Sequence, residues 1–172
     1  MAKTGVSKQM LLDGAQMALS ALLAGTMGFL KERDIPIKDW VSYIGNSFEG
    51  SMDDLEGEGV YQVMQHLLGL QVLPLGAEIV STNFTKDKAE VKLSSLPSRA
   101  VMEKFGTTPK ELLRGFGVTQ REFEFIYAMY EPAAKSIGLR FTHQLKDGKE
   151  VLSLERAPRT GPPRAQSRAT KK

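Results

Sequence analysis

Between Ser7 and Arg33 apolar residues crowd so closely (Met10, Leu11, Leu12, Ala15, Met17, Leu19, Leu22, Leu23, Met27, Phe29, Leu30) that they cover most of a helix surface. The pattern predicts a long helix buried nearly all round. Small residues recur in it at four-residue intervals, Gly14 with Ala18, Ala21 with Gly25 and Ala24 with Gly28. Such spacing lets another backbone approach closely, either within one chain or across a homodimer seam. Asp34 before Ile35-Pro36 reads as the cap of a second helix carrying Ile37, Trp40, Val41, Ile44 and Phe48. A third helix follows from Val60, Val63, Met64, Leu67 and Leu68, with Gly69 as its stop.

The period then changes. Residues 77–84 and 89–93, joined by a polar turn, predict a β-hairpin with Ala89, Val91 and Leu93 facing inward. Thr108–Glu111 and Thr119–Glu122 both spell a capping box, so each opens a helix. The second helix carries Phe123, Ile126, Tyr127, Tyr130, Ala133, Ala134 and Ile137, and Pro132 within it predicts a bend near Met129. Residues 139–145 alternate Leu139, Phe141, His143 and Leu145 against polar neighbours, and Asp147-Gly148 turns the chain into a last strand at 150–155. The expected fold is therefore α+β: a four-stranded antiparallel sheet made of two hairpins, with helices on one face and a long N-terminal helix. The long opening helix and the bent tyrosine-bearing helix are expected to share that sheet and to leave room for a guest between them.

Composition sets the limits. The chain of 172 residues is 41% hydrophobic, enough for one core across residues 1–156. With no cysteine, disulfides, thiol nucleophiles, iron–sulfur clusters and cysteine-ligated zinc are excluded. The net charge is +3, but Arg159, Arg164, Arg168, Lys171 and Lys172 place +5 in residues 157–172 and leave 1–156 at −2. That tail reads as a disordered basic segment suited to weak, salt-sensitive contact with an anionic partner. The start of the chain does not read as a secretory leader, and Gly14–Leu30, with Gln16, Ser20, Thr26 and three glycines, reads as a buried helix, not a membrane span. A cytoplasmic protein is expected.

Candidate chemistry is sparse. No glycine-rich phosphate loop is present, the acidic run at 49–59 does not match a calcium loop, and the two histidines, His66 and His143, carry no metal-ligand spacing. No cofactor or metal is expected. The residues best suited to orient a guest are Trp40, Tyr127, Tyr130, Glu131 and His143, with the eight methionines as adaptable apolar lining. The expected function is a non-catalytic binding or adaptor domain for a hydrophobic small molecule or a partner helix. Two alternatives stay open: an enzyme with Glu131 and His143 as general acid and base, and an electrostatic binder acting through the tail.

Taken in order, GVYQVMQHLLGL, AEIVSTNFTKDKAEVKLSSLPS, FIYAMYEPAAKSIG and LRFTHQLKDGKEVLSLE resemble the elements of the 4-vinyl reductase type of small-molecule-binding domain over residues 60–155. Related folds occur in vesicle-tethering subunits and haem-binding gas sensors. The resemblance implies a hydrophobic or tetrapyrrole-like ligand, or an interaction module. Many members carry cysteines that this chain lacks, so no thiol or metal role carries over, and neither His66 nor His143 matches a haem-ligand motif.

Overall fold

Hydrophobic alternation and turn chemistry build the sheet in the computed structural model, which describes residues 5–94 and 96–157. Strands β1 (Ile79–Phe84), β2 (Lys88–Ser94), β3 (Leu139–Lys146) and β4 (Lys149–Arg156) form an open antiparallel sheet in the order β1-β2-β4-β3. Asp147 and Gly148 both take positive φ, 52° and 69°, as a tight two-residue hairpin turn requires. The register sets Ala89 opposite Leu154, Val91 opposite Leu152 and Leu93 opposite Glu150. Across β3 and β4, Phe141 meets Leu154, His143 meets Leu152 and Leu145 meets Glu150. Because the side-chain period of a strand is two, these residues share one face of the sheet. On the other face Lys88, Glu90, Arg140, Thr142, Ser153 and Glu155 line an open polar surface.

Helices cover only the apolar face. Helix α3 (Val60–Leu67) packs on β2 and β4, while a 3₁₀ segment (Phe125–Tyr130) and α7 (Glu131–Ser136) pack on β3. Helix α2 (Ile37–Ser47) lies against the 3₁₀ segment and α7. Gly45 makes this possible, since a Cβ there would sit 3.0 Å from the carbonyl oxygen of Met129. The short helices α4 (Arg99–Lys104), α5 (Pro109–Gly115) and α6 (Gln120–Glu124) complete the helical layer. Both expected capping boxes form.

Three local readings need correction. Asp34 takes φ 56° and Pro36 occupies the cap position of α2, so Asp34 belongs to the link after the first helix. Gly69 does not stop the third helix: the chain continues through one wide π turn to a 3₁₀ turn ending at Gly76, whose φ of 79° marks the true stop. The bent helix is broken rather than kinked, with α6, the 3₁₀ segment and α7 in succession and Pro132 in the first turn of α7, where its missing N–H costs nothing.

The largest departure is α1 (Lys8–Glu32). It buries Asp13, Gln16, Ser20, Ala24, Met27, Gly28 and Leu30 and exposes Met10, Leu11, Leu12, Leu22 and Phe29, so it is not covered all round. Its main contacts are with α2, α4, α5, α6 and the Leu73–Leu75 turn, so it packs chiefly on other helices and not across the sheet beside the tyrosine-bearing segment. Polar bonds hold this inward stripe. Asp13 pairs with Lys104 at 2.8 Å, and Gln16 donates to the Leu73 carbonyl at 3.2 Å. The Lys104 ammonium holds the Asp13 carboxyl below its usual range. By length and composition α1 is also long and apolar enough to cross a membrane. The basic tail, with Arg159, Arg164, Arg168, Lys171 and Lys172, lies outside the described residues.

At the entry to α6, the Thr119 hydroxyl accepts from the Glu122 amide at 3.2 Å, and the Glu122 carboxylate accepts from the Thr119 amide at 2.7 Å and from Lys31 of α1. Thr119→Ala is expected to cost about 1 kcal/mol. The shift is measurable as a lower urea midpoint with unchanged slope; an unchanged midpoint would mean that the cap does not hold α6.

Candidate functional site

The inner face of the sheet carries one acidic interruption. Glu150 follows the same alternation as Leu152 and Leu154 and lies between Leu93 and Leu145 in the register. It is 0% exposed; neither carboxyl oxygen accepts from a protein donor among the described residues, and it faces the Glu124 carboxyl, with which it shares a hydrogen bond. Across from the sheet, α6 brings in Glu124, which is 4% exposed and accepts from Gln120 Nε2 at 2.6 Å. Gln120 also donates to the Leu96 carbonyl, which fixes the amide between loop and carboxylate. Glu124 lies close enough to act electrostatically on Glu150. Burial, and then the Glu124 charge, push the Glu150 carboxyl up to about 8. At pH 7 it therefore favours its proton and donates the O–H to the Glu124 carboxylate.

Two further polar atoms gather here. The Tyr127 and His143 rings lie 5.9 Å apart, tilted by 39°, and Tyr127 Oη and His143 Nδ1 are buried without partners. Burial pushes the Tyr127 phenol up and the His143 imidazole down, so both are neutral at pH 7. His143 reaches the site because its partner Leu152 is the next inward residue after Glu150 on β4. Leaving buried polar groups unpaired is costly. Two such atoms beside a buried pair of carboxyls mark a place where the fold accepts instability.

A cleft of about 520 Å³ opens onto this group between α6 and the tip of the β3–β4 hairpin. Glu124, Glu150 and His143 form its polar wall, Phe125 and Leu145 its apolar one, and Arg121 and Lys146 stand among its lining. Phe125 and Leu145 are both exposed. Leu145 was expected to face the core; it lies instead on the cleft.

The remaining candidates fall elsewhere. Tyr130 stacks edge-to-face on Phe141, with ring centroids 5.8 Å apart, and burial raises its phenol. Trp40 is half-buried on α2 and packs against the core. Glu131 lines a separate groove of about 530 Å³ between α2 and α7, with Ser42, Asn46 and Lys135, and partial burial raises its carboxyl. Glu131 and His143 thus line different clefts. Met27, Met64 and Met102 are wholly buried filler. Among the described residues no three His, Asp or Glu side chains gather as a metal-ligand set.

Of the five expected residues, the structure brings together Tyr127 and His143. Sequence reading missed Glu124 and Glu150. Glu150 had a usable signal, because the alternation that turns Leu152 and Leu154 inward includes it. No protein-family model matches the chain, and neither curated proteins nor solved structures provide a match.

Proposed function

We propose that this protein is a non-catalytic binding domain that holds a small apolar molecule with a hydrogen-bonding head group in the cleft between α6 and the β3–β4 tip. The supporting observation is the Glu124–Glu150 pair: two buried carboxyls that share a hydrogen bond and hold a proton between them, on the wall of an open cleft. A guest of this kind would set its head group against the Glu124–Glu150 pair, with His143 as a further partner. Its body would lie on Phe125 and Leu145. Affinity would come from apolar area, and orientation from the few polar groups. The resemblance of residues 60–155 to small-molecule-binding domains agrees with this reading.

The test is native mass spectrometry of the full chain, as purified and after incubation with a library of small apolar alcohols, phenols and amides. The expected result is a one-to-one adduct that is lost in Leu145→Trp, where the indole fills the mouth, with the melting temperature unchanged. An adduct that survives in Leu145→Trp, or a wild-type chain that retains no library member, overturns the reading.

A second reading rests on the same groups. A protonated carboxyl beside a neutral imidazole is a general acid and general base set, here Glu150 with His143. Glu150→Gln would then keep binding but abolish turnover; a variant that turns over normally removes this reading.

A further inference from the structure

On the outward side of α1, Leu11, Ala15, Ala18, Leu22, Gly25 and Phe29 recur at alternating spacings of four and three. Leu11, Leu22 and Phe29 are 62%, 65% and 53% exposed, Ala15 and Ala18 are exposed, and Gly25 is half-buried. This is the a/d seam of a coiled coil, on the side of the helix opposite the stripe that docks on its own domain. The same spacing places Lys8 before Leu11 and Glu32 after Phe29, both exposed.

We infer that two copies of this chain pair through α1 in antiparallel orientation about a two-fold axis midway between Ala18 and Leu22. An antiparallel seam stacks each a position on a d position of the partner. Lys8 then meets Glu32 of the partner subunit, Leu11 meets the partner's Phe29, Ala15 meets the partner's Gly25 and Ala18 meets the partner's Leu22. Each bulky residue at the centre meets a small one, and in the Ala15 layer the methyl group meets the partner's Phe116 ring that packs over Gly25. Opposite charges meet at both ends of a helix about 37 Å long. Parallel pairing would instead set lysine against lysine and glutamate against glutamate. The surface is self-complementary, as a two-fold interface demands. Phe116, exposed and packed beside Gly25, extends the apolar strip along one flank.

A second copy fits better than a bilayer. The bonds from Asp13 to Lys104, from Gln16 to Leu73 and from Lys31 to Glu122 tie the inward stripe of α1 to its own domain. Insertion would have to break them, whereas pairing leaves them intact.

The test uses sedimentation velocity on the full chain at micromolar concentration. A dimer is expected, and Leu22→Glu, at an exposed position, should raise its dissociation constant at least about tenfold with an unchanged circular dichroism spectrum. Lys8→Glu or Glu32→Lys alone sets like charges together twice per dimer and should weaken it about fivefold; the double exchange should restore it. Because the chain has no cysteine, chains carrying Lys8→Cys and chains carrying Glu32→Cys should trap each other as a disulfide, while Lys8→Cys alone should not. A monomer throughout, a dimer insensitive to Leu22→Glu, or a double exchange that fails to restore pairing overturns the inference. So does attachment of the monomer to phosphatidylcholine vesicles that Leu22→Glu abolishes, which would make the stripe a membrane face.

Discussion

Glu150→Leu is expected to stabilise the fold at pH 7 by about 2–4 kcal/mol, the reverse of an ordinary core substitution. The carboxyl sits between Leu93 and Leu145 in an apolar row, and it is hydrogen-bonded to a second buried carboxyl, Glu124. Keeping it neutral at pH 7, when it would ionise near 4.5 in the unfolded chain, costs folding free energy, and burying it against the like-charged Glu124 costs more. Leucine removes both penalties and matches its neighbours in shape. For a chain of this size the melting temperature should rise by roughly 5–10 °C, and ligand capture should fall away in the same variant. A loss of stability would mean that the pairing with Glu124 holds the fold and that the proposed site is misassigned.

The pH dependence has a defined sign. Glu150 moves from 4.5 in the unfolded chain to about 8 in the fold, so across that window the folded state binds more protons. Stability is therefore highest, for this group, below about 4.5 and falls as pH rises toward 8. Glu150→Leu lacks this slope. The stability gap between variant and wild type should be smallest at pH 4 and widen steadily to pH 8, measured as melting temperature against pH. A gap constant with pH would show that the carboxyl is not held neutral.

The same residue shows what a sequence does and does not disclose. Both hairpins were legible because each strand declares itself locally, through alternation and, at Asp147-Gly148, through a turn only a few residue pairs can make. The capping boxes at Thr108 and Thr119 were legible for the same reason, since both partners lie within four residues. His143 could be placed inward by counting along one strand. Glu150 could be placed the same way; Glu124 could not, because it reaches Glu150 only after α6 folds back over the sheet, a contact between segments far apart in sequence. Glu131, adjacent to the tyrosines along the chain, was drawn in by proximity, yet the break at Pro132 turns it toward α2. Helix α1 misled for a different reason. Its apolar residues occupy two faces, and the one turned inward is the more polar because Lys104 and the Leu73 carbonyl await Asp13 and Gln16. Periodicity reports that a helix has apolar faces, and only tertiary partners decide which one is covered.

Gly28→Ala should destabilise the domain by about 2–3 kcal/mol, although alanine is the better helix former by about 1 kcal/mol. A Cβ at Gly28 would lie 2.4 Å from the Phe116 carbonyl oxygen and 3.3 Å from the Phe116 Cβ. The obstacle is backbone, so no side-chain rotation relieves it; α1 must lift from the turn after α5. That movement would strain the pair between Lys31 and Glu122 and the bond from Lys31 Nζ to the Gly117 carbonyl at 2.6 Å, which join α1 to the cap of α6 and hence to the Glu124 side of the cleft. Gly14, on the same helix, has nothing within 4 Å of the position its Cβ would take. Gly14→Ala should therefore stabilise by about 0.5–1 kcal/mol through propensity alone. Urea denaturation of the two variants under one set of conditions should give shifts of opposite sign. If both shift upward, the close approach of α1 to Phe116 does not exist in solution, and the small residues of that stretch serve another contact.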